Sequence, residues 1–229
     1  KLRDNPGETS SLYLGRRGYY AQSLAMAGRF DEASAMLENA IALSLADGNT
    51  QSNVTNILRT ELAKVRNLQG WPDEALALIN LASENHDWLS VLRASSLNIA
   101  HAQTLALLRR EDEASALYEK AIADRAAMFG ADGAAMIQLY IDAAAHYRRL
   151  GDAQLALEYA RRAHEIGQTG FPEGNWLAAT ATAEYAYSLA ALGASDQARP
   201  LASQARDDLL ATFGPQDNRA RRLSEFLEK

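Results

Sequence analysis

The sequence predicts an all-α fold built from repeated helical hairpins, and three observations indicate it. A motif at 27–33 (AGRFDEA) returns four times in related form, and its closing alanines are 42, 39, 42 and 42 residues apart. Apolar residues at helical spacing precede and follow the copies. Alanine also recurs twelve residues before and seven residues after each closing alanine. A fixed period of this length indicates a repeat architecture, in which each copy packs on its neighbours.

Each copy of the motif is predicted to be the turn between two helices. The glycine, as at Gly28 and Gly70, ends the first helix because glycine adopts a left-handed backbone without steric cost. The acidic pair that follows, as at Asp31 and Glu32, begins the second helix, where the positive end of the helix dipole stabilises carboxylates. A catalytic pair is disfavoured because adjacent residues on a helix do not face one another. The third copy carries Arg109 in place of the glycine.

Fifteen alanines mark the places where the helices are expected to touch. Residues seven apart lie on one face of a helix, and a methyl group there lets a neighbouring helix approach closely. Each hairpin is therefore expected to pack on its own two helices and on the next hairpin. The signature alanines are Ala21, Ala33, Ala40, Ala63, Ala75, Ala82, Ala102, Ala114, Ala121, Ala144, Ala156, Ala163, Ala186, Ala198 and Ala205.

The alanine register divides the chain into five hairpins and a final helix, in a single array over 1–229. The step of 39 residues places a shortened loop between the second and third hairpins, near 85–88. The last segment carries apolar residues on one face and charge on the other, which is typical of a helix that caps a repeat array. The alternative is a helix offered to a partner. The predicted repeats span about 9–50, 51–88, 89–133, 134–174 and 175–217, and the capping helix spans 218–229.

Helix, tight turn and helix, with small residues at three fixed places, resembles the tetratricopeptide repeat (TPR) family. The long period, the alanine at the first small place and the connectors at 129–133 (FGADG) and 213–218 (FGPQDN) resemble its kinesin-light-chain type, which is also common in bacterial multidomain proteins. The resemblance implies a right-handed α-solenoid, a superhelix whose first helices line a concave groove that binds a protein or peptide. The paired asparagines that such repeats often carry on the first helix are absent, so their mode of ligand binding is not carried over.

Seven side chains on the first helices are predicted to be exposed and to contact a partner. Amides pair with an extended peptide backbone, and the two cations match carboxylates. Simple solvation is the alternative for each of these residues. Trp71, Trp88 and Trp176 lie at turns or helix starts, where a local cover on the core is favoured over a ligand platform. The predicted partner-binding residues are Gln22, Lys64, Asn67, Gln103, Gln138, Arg148 and Tyr187.

Composition and motifs argue against several other functions. The net charge of −6 and the scattered arginine pairs disfavour direct binding of nucleic acid. No apolar run approaches the 18 residues of a membrane span. Cysteine is absent, and the histidines at 86, 101, 146 and 164 are not at zinc-ligand spacing. Phosphate-binding and nucleophile motifs are also absent. The sequence therefore predicts a chain that is not an enzyme, without catalytic residues, metal or cofactor.

Two classes of function remain open. In the first, the chain is a protein-interaction scaffold that binds a peptide or protein segment along its groove. In the second, it is the regulatory, sensor or self-association arm of a larger bacterial signalling protein, such as a Ser/Thr kinase or transcription regulator. Its groove is then filled in cis or by self-association as a homo-oligomer. The start at Lys1 rather than methionine is expected to reflect an excised fragment, with 1–3 as the tail of a preceding helix. The expected location is the cytoplasm.

Overall fold

In this computed structural model, the described residues 10–46, 53–84 and 91–228 form eleven α-helices, one short 3₁₀ turn at 134–136 and no β-strand. Each predicted repeat holds one helical hairpin. Trp88, His86, the shortened loop near 85–88 and the helix tail at 1–3 lie outside the described residues. The helices are α1 (Ser11–Met26), α2 (Phe30–Ala46), α3 (Asn53–Gln69), α4 (Pro72–Ser83), α5 (Val91–Leu107), α6 (Glu111–Phe129), α7 (Ile137–Leu150), α8 (Ala153–Gly170), α9 (Trp176–Ala191), α10 (Ser195–Phe213) and α11 (Asn218–Leu227).

The chain divides into two compact units, 1–117 and 118–229, and helix α6 begins in the first and ends in the second. In the first unit, α1 packs on α2 and α3 packs on α4, while α3 also contacts α1 and α2, and α5 contacts α3 and α4. In the second unit, α7 packs on α8 and α9 packs on α10, while α9 also contacts α7 and α8, and α11 packs on α10. Each unit is therefore a stack of helical hairpins.

The fifteen signature alanines are all buried, with at most 1% of each exposed. In the first hairpin, Ala21, Ala33 and Ala40 share a buried cluster with Leu58 and Leu62 of the next first helix, α3. Methyl groups thus form the seam within a hairpin, and larger side chains of the following helix close it. The all-α repeat fold predicted from the sequence is confirmed. The last hairpin has the same arrangement, in which its alanines share a cluster with two residues of α11: Ala186, Ala198, Ala205, Ala220 and Leu223.

The turns between paired helices use a left-handed backbone. Gly70 and Gly151 have φ angles of +80° and +83°, and a β-carbon at either position would meet no other atom within 4 Å. The third turn places Arg109 in this conformation, with a φ of 62°, and it is the one non-glycine residue with a positive φ among those described. Left-handed backbone is unfavourable for a residue with a β-carbon. The third turn is therefore strained where the equivalent turns are not.

Helix α11 is anchored at its start and along its apolar face. The Asp217 side chain accepts hydrogen bonds from the backbone N–H groups of Arg219 and Ala220 at 2.9 and 3.0 Å, which caps the helix. Leu223 is fully buried, and the Phe226 ring packs nearly perpendicular to the Tyr187 ring of α9. The opposite side of this helix is charged.

Candidate functional site

In the first unit, the carboxylate of Glu61 links three first helices. Gln22 of α1 donates from Nε2 to Glu61 Oε2 at 2.7 Å. Lys64 donates from Nζ to Glu61 Oε1 at 2.8 Å and to the Ser96 hydroxyl of α5 at 3.0 Å. The Glu61 side chain is only 11% exposed, against 29% for Lys64. A nearly buried carboxylate therefore holds an amide and an ammonium group in a row across α1, α3 and α5.

A second polar link joins α3 to α5 about one turn further along. Asn67 donates from Nδ2 to the Thr104 hydroxyl at 2.9 Å, and Thr104 is fully buried. Gln103, beside it on α5, is half-buried and forms no hydrogen bond with the described part of the chain. Its amide is therefore available to a ligand, whereas that of Asn67 is already engaged.

In the second unit, the guanidinium of Arg148 on α7 is held from two sides by α9. Its Nε and Nη2 donate to the two carboxylate oxygens of Glu184 at 2.8 and 3.3 Å, and it lies 5.3 Å from the centre of the Tyr187 ring. Burial raises the pKa of Glu184, and the hydrogen bond and charge of Arg148, with the charge of Arg222, oppose that rise. Tyr187 is fixed in turn by an edge contact with Phe226 at 5.3 Å.

Gln138, on the first turn of α7, is placed differently from the others. Its side chain is exposed and donates from Nε2 to Asp142 Oδ1 at 3.0 Å, one turn along the same helix. This hydrogen bond orients the amide without joining two helices. Gln138 therefore remains accessible to solvent.

The prediction that all seven candidate residues are exposed is wrong for six of them. Gln138 is exposed, while the others are half-buried because hydrogen bonds or ring contacts draw most of them onto neighbouring helices. Sequence reasoning also missed the two acidic residues that organise them, Glu61 and Glu184. Both stand two residues before the first alanine of their repeat, and Asp142 occupies the same place in the fourth copy. The recurrence of an acidic residue at this place was the signal in the sequence that could have identified Glu61 and Glu184. The six half-buried residues are Gln22, Lys64, Asn67, Gln103, Arg148 and Tyr187.

The arrangement suits recognition by hydrogen bonds better than reaction chemistry. Arg148 uses Nε and Nη2 on Glu184, so its Nη1 group still has donors for a ligand carboxylate or carbonyl. Lys64 uses two of its three N–H donors within the chain. Each cation is thus held in place by a buried carboxylate and keeps unused donors. Among residues 10–46, 53–84 and 91–228, no three histidine or acidic side chains are grouped to hold a metal ion.

Comparison with solved structures relates this architecture to known proteins. The chain is similar to a kinesin-light-chain-type protein of Podosopora anserina with nearly identical TPR-like repeats, with a TM-score of 0.61, 20% identity, and coverage of 89% of this chain and 98% of that one. A variant of that protein matches with a TM-score of 0.62. BtubC (BKLC) from P. vanneervenii is also similar, with a TM-score of 0.64, 18% identity, and coverage of 92% and 84%.

The chain has a TPR-like repeat fold. The resemblance found in the sequence is therefore confirmed at the level of the fold, and the likeness covers most of the chain and of its structural neighbours. The sequence matches no protein-family model and no curated protein. Within the described part of this TPR-like chain, no helix is both long and apolar enough to cross a membrane.

Proposed function

We propose that the chain is a protein-interaction module that binds a peptide or protein segment on the first helices of its hairpins. We call the side of these helices that bears the candidate residues the first-helix face. In the first unit it carries Gln22, Lys64, Asn67 and Gln103, and in the second unit it carries Gln138, Arg148 and Tyr187. The observation that carries the proposal is that Lys64 and Arg148 are each held by a buried glutamate and retain unused donors. Ordered donors lose little side-chain freedom on binding, which favours affinity.

The chemistry of the first-helix face indicates the kind of segment that it binds. The Gln103 and Gln138 amides match the carbonyl and N–H groups of an extended backbone, and the free donors of Lys64 and Arg148 match carboxylates. The exposed part of the Tyr187 ring provides an apolar contact beside the guanidinium. An extended segment with at least one acidic side chain is therefore the ligand that the first-helix face of either unit fits best.

The test compares charge-neutral variants of the first-helix face with matched variants on second helices. Partners are captured from the source cells by cross-linking, and the bound segment is identified and titrated against purified protein. We expect Lys64→Gln and Arg148→Gln together to weaken binding about tenfold or more, because each removes a charge-assisted hydrogen bond. Lys120→Gln and Arg161→Gln change the same charges at exposed places on α6 and α8 and are expected to leave binding unchanged.

Circular dichroism measures the helicity of each variant, so that a loss of binding can be distinguished from a loss of folding. Arg148→Gln is preferred to a reversal of charge because a second carboxylate beside Glu184 would repel it. Equal binding by the two sets of variants, with helicity intact, would show that the binding site does not lie on the first-helix face.

A second candidate function is that of a self-association or regulatory arm in a larger bacterial signalling protein. The observation that favours it is the side of α1 that bears Leu12, Tyr19 and Tyr20, which are 68%, 73% and 55% exposed. Aromatic residues are enriched at protein interfaces. Light scattering at increasing protein concentration tests it, with Tyr20→Arg as the variant expected to dissociate an oligomer. A strictly monomeric native chain would exclude self-association. The cytoplasmic location and the absence of direct nucleic-acid binding stay predictions.

A further inference from the structure

A pocket opens in the first unit where the turn of the first hairpin lies beside the turn of the second. It is an open depression with a volume of about 330 Å³, which is enough for one long side chain. We call it the turn-edge pocket. It belongs to neither the first-helix face nor the seam of alanines. Its lining residues are Gly28, Phe30, Asp31, Leu68, Gln69 and Trp71.

Two of the three apolar walls of the turn-edge pocket, Leu68 and Trp71, are largely exposed, whereas the third, Phe30, packs partly on the core of the first unit. Phe30, Leu68 and Trp71 stand three, seven and four residues before the closing alanine of their copies. In the corresponding pair of turns in the second unit, the place of Phe30 is Ala153 in the fourth copy, and the places of Leu68 and Trp71 are Ala191 and Ala194 in the fifth copy. Leu68 is 59% exposed and Trp71 is 47% exposed, so much of their surface packs against nothing. Large apolar side chains left open to solvent, at places where other copies carry alanine, indicate a binding surface.

The rim of the turn-edge pocket is acidic. Asp31 lines the pocket, and the carboxylates of Glu38 and Glu74 pair with Arg66, whose guanidinium lies against the Trp71 ring of the pocket wall. The Asp31 carboxylate accepts a hydrogen bond from Gln69 at 2.9 Å and forms no ion pair with the described residues. The excess of negative charge favours a cationic ligand.

Trp71 already interacts with one cation. The guanidinium of Arg66 lies 4.8 Å from the centre of the indole ring, within the range of a cation–π contact. Tryptophan is the side chain that binds cations best in this way. The exposed part of the ring therefore suits a second group that is both apolar and positively charged.

We propose that the turn-edge pocket binds an arginine or lysine side chain from a basic segment of a protein partner. The aliphatic stem of that side chain lies against Phe30, Leu68 and Trp71, and its charged end reaches the Asp31 carboxylate. Arginine and lysine combine an apolar stem with a terminal cation, which matches an apolar pocket with an acidic rim. None of the pocket's lining residues belongs to the first-helix face.

The test follows the indole N–H resonance of Trp71 in the ¹⁵N-labelled full chain, assigned from its absence in Trp71→Phe. The probe is the peptide acetyl-Gly-Leu-Arg-Gly-Leu-Arg-Gly-amide. Its control replaces both arginines by citrulline, which keeps the shape and removes the charge. We expect the arginine peptide to shift the Trp71 resonance saturably and to leave that of Trp176 unchanged. The citrulline peptide is expected to bind about tenfold more weakly, as befits the loss of a charge-assisted contact.

Two variants with matched controls test the lining of the pocket. Leu68→Ala installs the residue that the fifth copy carries at this place, Ala191, and Asp31→Asn removes the carboxylate. Each is expected to weaken the arginine peptide about threefold to tenfold, because each removes one contact to the ligand. Leu107→Ala and Asp112→Asn change the equivalent positions of the third copy, and Leu107 is also an exposed leucine. Both controls are expected to bind as the native chain does.

Several outcomes would overturn the proposal. One is a Trp71 resonance that does not move on titration, and another is equal binding of the arginine and citrulline peptides. Native-like binding by both Leu68→Ala and Asp31→Asn is a third. A Trp71 resonance that shifts with protein concentration alone would identify a second copy of the chain as the occupant, in place of a basic segment.

Discussion

Replacing Arg109 by glycine is expected to stabilise the chain. Arg109 stands at the place of the left-handed glycine in the third turn and has a φ of 62°. Its side chain is exposed and forms no hydrogen bond or ion pair within the described residues, so its removal loses no contact. The effect of Arg109→Gly should therefore come from the backbone alone.

The magnitude follows from two opposing contributions. Relief of the left-handed backbone is worth about 1–2 kcal/mol. The extra freedom that glycine gives the unfolded chain costs about 0.4–1 kcal/mol. The net gain is expected to be about 0.5–1 kcal/mol, which corresponds to a rise in Tm of roughly 1–4 °C for a chain of this length. Urea unfolding followed by circular dichroism at the helix band measures it.

Two further variants separate backbone strain from other causes. Gly151→Arg places the same side chain in the equivalent fourth turn, where a β-carbon meets no neighbour, and is expected to destabilise by a similar amount. Arg109→Ala keeps the β-carbon and is expected to have little effect. If Arg109→Ala stabilises as much as Arg109→Gly, charge repulsion by the guanidinium explains the gain and the reasoning from backbone strain is refuted.

Three further predictions concern packing, charge and capping. Ala144→Leu, at a fully buried alanine, is expected to cost about 1–3 kcal/mol of unfolding free energy through overpacking, whereas exposed Ala127→Leu costs little. Burial raises the pKa of Glu184 above its ordinary 4.5. The folded chain therefore loses stability as the pH rises from 4.5 through the raised pKa, because the buried carboxyl must ionise. Over the same pH range, Glu184→Gln should become more stable relative to the native chain. A stability difference that does not vary with pH would contradict this. Asp217→Ala removes the cap of α11 and is expected to cost about 1 kcal/mol in thermal unfolding, while Asp217→Asn retains most of the cap.

The helices and the turns between them could be predicted because their signals are local and repeated. Glycine or its substitute at each turn, an acidic residue in most of the following first turns and alanine in register all depend on spacing along the chain. The third turn illustrates this, since Arg109 adopts the glycine conformation although it is not glycine. The pattern of the other four copies predicted a turn here, although arginine itself disfavours the left-handed backbone that the turn requires.

Whether each candidate side chain is exposed or hydrogen-bonded to a neighbouring helix could not be predicted in the same way. Whether Lys64 is free or paired depends on Glu61 on its own helix and on Ser96 of the next hairpin, and the register places all three only approximately. Likewise, Arg148 meets Glu184 across 36 residues of sequence. Pairs between neighbouring hairpins depend on rotamers and helix separation, which periodicity does not specify. The turn-edge pocket was missed for the same reason, because its walls come from two different turns.

The seam of alanines has a consequence for how such a chain evolves. Because close contact within each hairpin rests on methyl groups at three places, exposed positions outside the hydrogen bonds between hairpins can change without disturbing the stack. Duplicating a hairpin adds a fresh surface and requires no new core. A lineage with this fold can therefore exchange one partner for another by drift and selection within a single copy, while its other copies preserve the interactions already acquired.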